Sequence, residues 1–127
     1  MLINAVARMA GMSKDGIRHY EEMGLIASTP RKAGSRTYRD YDASVLATIE
    51  HVRQAQRLGF SLAEIGPLLE AYRSSEPTLE QTVQFLEERL ALIRAKQAEL
   101  RDVEAFIEAK IEKYREVVLA APSKTIP

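Results

Sequence analysis

From Leu79 the apolar residues Leu79, Val83, Leu86, Leu90 and Ile93 recur at alternating steps of four and three, continuing through polar Gln97 to Leu100. That spacing is the seam of a coiled coil. After Leu100 it shifts to Val103, Ile107, Ile111, Tyr114 and Val118, a three-residue offset that overwinds a supercoil locally. Thr78-Leu-Glu-Gln81 forms a capping box directly after Pro77, and Pro122 marks a stop. The spacing predicts one helix over residues 79–120, roughly 60 Å long at about 1.5 Å per residue. The 75 or so residues that precede it are too few to cover such a seam. The helix therefore needs a partner, most simply a second copy of itself, with Val83, Leu86, Leu90, Ile93, Leu100, Ile107, Ile111 and Tyr114 carrying the dimer contact. Gln97 at a core position favours one alignment of the two helices at some cost in stability. The expected organisation is a domain over 1–75, a dimerisation helix over 76–120 and a disordered tail over 121–127.

The preceding segment reads as short helices. Val6, Met9 and Ala10 lie at helical spacing and the run ends at Gly11. Ser13 then caps a second helix, with Asp15 in its first turn and Gly24 closing it. Two helices joined by Gly11-Met12 make a helix-turn-helix candidate. Residues 27–41 contain Pro30, Gly34 and Ser35 and then the alternating "RTYRDY", which predicts a hairpin whose first strand is 26–29. A third helix is expected from a cap at Asp42 to Gly59. A fourth opens at the capping box Ser61-Leu-Ala-Glu64, with a bend or a 3₁₀ turn expected at Pro67.

Several function classes lose support. The chain has no cysteine, so disulfides and thiolate metal sites are out of reach. No stretch of eighteen consecutive apolar residues occurs, and the N-terminus lacks the pattern of a secretory signal. A cytoplasmic protein without a membrane partner is the expectation. His19 and His51 fall on different predicted helices, no serine has an adjacent base, and no Gly-rich phosphate loop or metal-spaced cluster occurs. No catalytic residue, metal or cofactor is expected. Glu21-Glu22 and Glu87-Glu88 read as solvated helix faces.

Nucleic-acid binding fits better, although the net charge is zero. Residues 1–60 carry nine Lys and Arg against six Asp and Glu, whereas residues 61–127 carry nine against twelve. Arg31, Lys32, Arg36 and Arg39 stand together without an acid between them, a local positive field suited to phosphate. In "SKDGIRHYEEMGLI" Lys14 and Arg18 lie at i and i+4 on one helical face, with His19 beside them. The N-terminal half of the second helix of a helix-turn-helix is the part that enters the major groove. A solvated basic face is the competing reading. Gly16, costly in a helix by about 1 kcal/mol relative to Ala, fits a backbone pressed into a groove. In the hairpin, cations alternate with tyrosines, a mixture that can straddle a sugar-phosphate backbone. Tyr41 is expected more in the core than in contact, and Arg36 and Arg39 the reverse. Near the junction of helices three and four, Arg57 is a better phosphate ligand than Arg53.

"INAVARMAGMSKDGIRHYEEMGLI", followed by "TYRDYDASVLATIEHVRQAQRLGFSLAEI" and a long helix, closely resembles the DNA-binding half of MerR-family transcription regulators over residues 3–69. The resemblance implies a mainly α fold: a winged helix-turn-helix with a small β-hairpin wing, then a long helix forming an antiparallel coiled coil between two subunits. It implies that Lys14, Arg18, His19 and Tyr20 lie in the recognition helix, Arg36, Tyr38 and Arg39 in the first wing, and Arg57 near a second, helical wing. It implies double-stranded promoter DNA and RNA polymerase as partners, and activation by distortion of a palindromic promoter. Thr37 stands where the family's wing often has glycine, which could alter the turn. Thiol- and metal-sensing relatives hold cysteines near the coiled coil; this chain holds none, and no separate effector domain is expected after Ala120. The signal therefore stays open. Two other readings are a coiled-coil interaction protein whose head binds another protein, and a small-molecule binder using Phe60, Leu69, Tyr72, Phe85 and Tyr114.

Overall fold

The computed structural model describes residues 1–120, so the expected disordered tail over 121–127 lies outside the described residues. The chain divides into two compact units, one spanning Met1–Pro77 and the other beginning at Thr78.

The first unit contains α1 (Ile3–Ala10), α2 (Lys14–Glu22), β1 (Thr29–Ala33), β2 (Arg36–Asp40), α3 (Val45–Arg57) and α4 (Leu62–Ser74). Three of its helices end in the same way. Met12 N donates to Ala7 O at 2.9 Å, Leu25 N to Tyr20 O at 3.0 Å and Phe60 N to Ala55 O at 3.2 Å. Each bond spans a glycine (Gly11, Gly24, Gly59) at positive φ. This is the Schellman arrangement, in which a residue without Cβ turns the chain into the left-handed region and the last carbonyls are satisfied. The helix starts are equally local: Ser13 Oγ accepts from Gly16 N at 3.0 Å, and Ser61 and Glu64 form the reciprocal capping box.

α1 packs on α2 and α3, and α3 packs on α4. The core between them is Val6, Ile17, Leu25, Tyr41, Ile49, Val52 and Ile65, each fully buried. Ile3, Met12, Leu46, Phe60 and Leu69 close its rim. Met9 differs from expectation: it is 62% exposed, and Val6 and Ala7 form the buried face instead. The third helix begins at Val45, not at Asp42. The Asp42 carboxylate instead accepts from Ser44 N at 2.8 Å, holding the turn that leads in. Pro67 is accommodated within α4 without a break, on an exposed face, where the carbonyl it leaves unpaired can meet water.

The hairpin also starts later than expected, with β1 at Thr29 and not at Ile26. Leu25 and Ile26 are core residues, so burial holds that stretch against the helices and keeps it out of the ladder. Register runs from Thr29↔Asp40 at the base to Ala33↔Arg36 at the tip. Gly34, at φ 67°, and Ser35 form a two-residue loop. A positive φ at the first loop position alone is the pattern of a type II′ turn, whose twist suits a hairpin. Thr37 pairs with Lys32 inside the ladder, so it has no part in the turn.

Among the described residues the second unit holds one helix, α5 (Leu79–Ala120), with no buried residue. Its start carries the expected capping box: Gln81 N donates to Thr78 Oγ1 at 3.1 Å and Thr78 N to Gln81 Oε1 at 2.9 Å.

Candidate nucleic-acid interface

α2 has two unlike faces. Ile17 and Tyr20 point inward and are buried, three residues apart as a helix requires of one face. Lys14, Asp15, Arg18, His19 and Glu22 are exposed on the other. Arg18 Nη1 donates to Asp15 Oδ1 at 2.8 Å, and His19 Nδ1 lies 3.9 Å from Glu22 Oε2. Such exposed pairs contribute little to stability, so Arg18 can exchange its partner at small cost.

Tyr20 corrects the expectation that it lies among the contact residues. Its ring is 6% exposed and its hydroxyl donates to Gln56 Oε1 of α3 at 2.9 Å. Burial pushes its phenol pKa up, and the nearby Arg53 charge acts in the opposite direction. Tyr20 therefore fixes α2 against α3 and offers no free surface to a ligand. Gly16 also has an internal explanation. A Cβ there would stand 3.1 Å from Met12 Cε and 3.3 Å from the capping Ser13 Oγ, so glycine leaves room for the turn and its cap.

The hairpin presents its side chains to solvent: every residue of β1 and all but Asp40 in β2 are exposed. Its cations divide between two faces. Cross-strand partners share a face and successive residues alternate, so Arg31, Tyr38 and Arg36 stand on one side, Lys32 and Arg39 on the other. On the latter face Arg39 reaches back, with Nη1 3.4 Å from Glu21 Oε1 on α2.

Glu21 was expected on a solvated face and is instead a junction. Its carboxylate accepts from Ser28 Oγ at 2.6 Å and from the Tyr41 hydroxyl at 2.6 Å, besides the Arg39 contact. Burial alone raises its pKa, but the Ser28 and Tyr41 hydrogen bonds and the Arg39 charge together hold it below the ordinary glutamate value. The sequence does carry a signal for this. Glu21 follows Ile17 by four residues and so shares the inward face, while Glu22 does not.

Arg57 lies exposed in the last turn of α3, and Arg53 is half-buried beside Tyr20. Among the described residues, no three His, Cys, Asp or Glu side chains are grouped as a metal site. Of the residues considered for a small-molecule site, Phe60 and Leu69 pack on the core of the first unit, Tyr72 lies at a tilt to His51 with ring centroids 5.4 Å apart, and Phe85 and Tyr114 belong to α5. No helix of the described residues is long and apolar enough to cross a membrane.

A helix-turn-helix with a hairpin beside its second helix, followed along the chain by one long helix, is the architecture of a class of DNA-binding regulators, and comparison with known proteins agrees. Residues 1–72 match the MerR HTH family regulatory proteins, and residues 46–112 match the family's "MerR, DNA binding" region. The mercuric resistance operon regulatory protein of Pseudomonas fluorescens is 33% identical over 107 residues, which cover 84% of this chain and 72% of that protein. The transcriptional regulator ZntR of Escherichia coli K12 is 33% identical over 103 residues, 80% of this chain and 72% of that one. Among solved structures, the lead(II) complex of the regulator PbrR691 from Ralstonia metallidurans CH34 superposes with a TM-score of 0.68 at 26% identity, covering 86% of this chain and 84% of that one. The chain belongs to the MerR family of helix-turn-helix transcription regulators. It is a DNA-binding regulator and not an enzyme. Its 127 residues include no cysteine.

Proposed function

We propose that the chain acts as a homodimer on a palindromic promoter site, with Lys14, Arg18 and His19 of α2 entering the major groove and Arg36, Tyr38, Arg39 and Arg57 holding the flanking backbone. The observation that carries this reading is the exposed face of α2 that bears Lys14 and Arg18, beside a hairpin braced to the same helix through Glu21. Long cationic side chains on a rigid helix can reach base edges, and phosphate contacts fix its register on the duplex.

The dimer reading rests on α5. Val83, Leu86, Leu90, Ile93, Leu100, Ile107, Ile111 and Tyr114 are all solvent-accessible within this one helix, and Leu100 is 67% exposed. Apolar surface in a continuous stripe of this length is a partner surface. An antiparallel pairing sets residues near Ile111 and Tyr114 against the partner helix near its N-terminal end. Two recognition helices on a stiff dimer can then bend or untwist the DNA between them, at a cost of about 1–6 kcal/mol for a smooth bend. Such distortion would realign promoter elements for RNA polymerase.

Selection from a pool of randomised duplexes of roughly three helical turns, about 30 base pairs, tests the reading. A palindromic consensus, bound with an affinity that falls steeply with salt, is expected. Recovery of no consensus together with salt-independent affinity would rule it out and leave a head that binds protein.

A further inference from the structure

The hairpin has a mechanical difficulty. Its strands bury no side chain, and an isolated two-stranded ribbon is marginal in water. Four steps of about 3.3 Å each put Arg36 roughly 13 Å from the base, so a rotation of about 10° there moves the tip by ~2 Å. That displacement is enough to break a hydrogen bond. Cations at the tip can meet defined phosphates only if the base is fixed.

Both ends of the hairpin converge on one side chain. Ser28 immediately precedes β1 and Tyr41 immediately follows β2, and their hydroxyls donate to the two oxygens of Glu21, each at 2.6 Å. This is the length of a charge-assisted O–H···O bond. Arg39, from within β2, adds its guanidinium to the same carboxylate at 3.4 Å. The Glu21 side chain is 22% exposed, so the low local dielectric strengthens these bonds. Glu21 is itself anchored, one residue after Tyr20, on the helix that carries Lys14 and Arg18.

We propose that Glu21 is a positioning residue for DNA binding: its carboxylate sets the hairpin at a fixed angle to α2, so that groove contacts and hairpin phosphate contacts are made together. The inference rests on the DNA-contact reading above. It adds that the hairpin's share of the affinity passes through a residue that touches no DNA. Arg39 serves two ends, holding Glu21 with one nitrogen and keeping its other donors for phosphate.

The test is a pair of double-mutant cycles in the full chain, with a mixed-sequence duplex of roughly 30 base pairs as the probe and anisotropy read over a range of salt. Glu21→Gln removes the charge at constant volume and should weaken binding about tenfold, the cost of a lost charge-assisted bond, and lower the salt slope by about one unit. In an Arg36→Ala background the same change should cost less than about threefold, because the tip contact it positions is already gone. In a Lys14→Ala background it should still cost about tenfold. Tyr41→Phe, which keeps the ring in the core and deletes one donor, should follow the same pattern at smaller size, and it carries the cycles if Glu21→Gln melts below the assay temperature. Unchanged affinity, full additivity with Arg36→Ala, or equal coupling to Arg36 and Lys14 would each overturn the proposal; the last would mean that Glu21 serves folding of the whole head. Wild-type protein with no salt-sensitive affinity would refute the DNA-contact reading itself, a separate result.

Discussion

The Tyr20 hydroxyl donates to Gln56 Oε1 at 2.9 Å, across 36 residues of sequence, and joins α2 to α3. α2 is thereby held by a polar tie as well as by the packing of Ile17. Such a tie fixes the orientation of α2 on α3, because apolar contact alone permits sliding.

Tyr20→Phe should lower stability by about 0.5–1.5 kcal/mol, since one partly buried bond is lost while the exposed Gln56 amide remains free to meet water. Urea unfolding at fixed pH measures this. A loss above about 3 kcal/mol would place the hydroxyl in a network larger than this pair.

Ile17 and Met9 provide a direct contrast between burial and mere hydrophobicity. Ile17 is 0% exposed and Met9 62%. Ile17→Ala should cost about 2–5 kcal/mol through lost burial and a residual cavity, whereas Met9→Ala should stay within about 0.5 kcal/mol. Equal losses in thermal unfolding would contradict the packing described for α1 and α2.

Stability should fall in acid partly through Glu21. Its folded pKa lies below the ordinary value despite the opposing effect of burial. The unfolded chain thus takes up the proton first as pH drops. The contribution is fully present above the ordinary glutamate range of about 4.3 and is lost as pH falls through the lower folded value. Wild type should therefore lose more stability than Glu21→Gln between about pH 5 and pH 3. Parallel curves for the two proteins would show that Tyr41, Ser28 and Arg39 do not favour the charged form.

Arg18 and Arg57 should fail in different ways. Arg18→Ala should cost about 1–3 kcal/mol on the selected site and relax discrimination there, as loss of a base contact does. Arg57→Ala should weaken all duplexes alike and lower the salt slope by roughly one unit. Binding isotherms on selected and mixed-sequence duplexes separate the two, and a sequence-selective loss for Arg57→Ala would reassign it to base readout.

Replacing Leu90 and Ile93 together with lysine should put like charges into the seam of α5 and give monomers in sedimentation at about micromolar concentration. A dimer that persists in this double mutant would move the partner surface elsewhere, to the neighbouring apolar stripe of Phe85 and Leu92, which the seam leaves out.

What the sequence determined by itself is what neighbours in the chain can settle. Ser13, Ser61 and Thr78 cap helices through amides three residues away, and Gly11, Gly24 and Gly59 end them through bonds spanning five, so these boundaries need no tertiary context. The seam of α5 is likewise a matter of spacing along one helix. Tertiary structure decided what depends on distant partners. Glu21 and Glu22 are adjacent and chemically identical, yet only Glu21 meets Tyr41, twenty residues on. Tyr20 and His19 are both plausible groove contacts by residue type, and only packing against α3 removes Tyr20. Ile26 suits a strand, but burial in the core starts the ladder at Thr29. In each case the deciding term is the desolvation of a side chain, and its size depends on which surfaces the fold brings together.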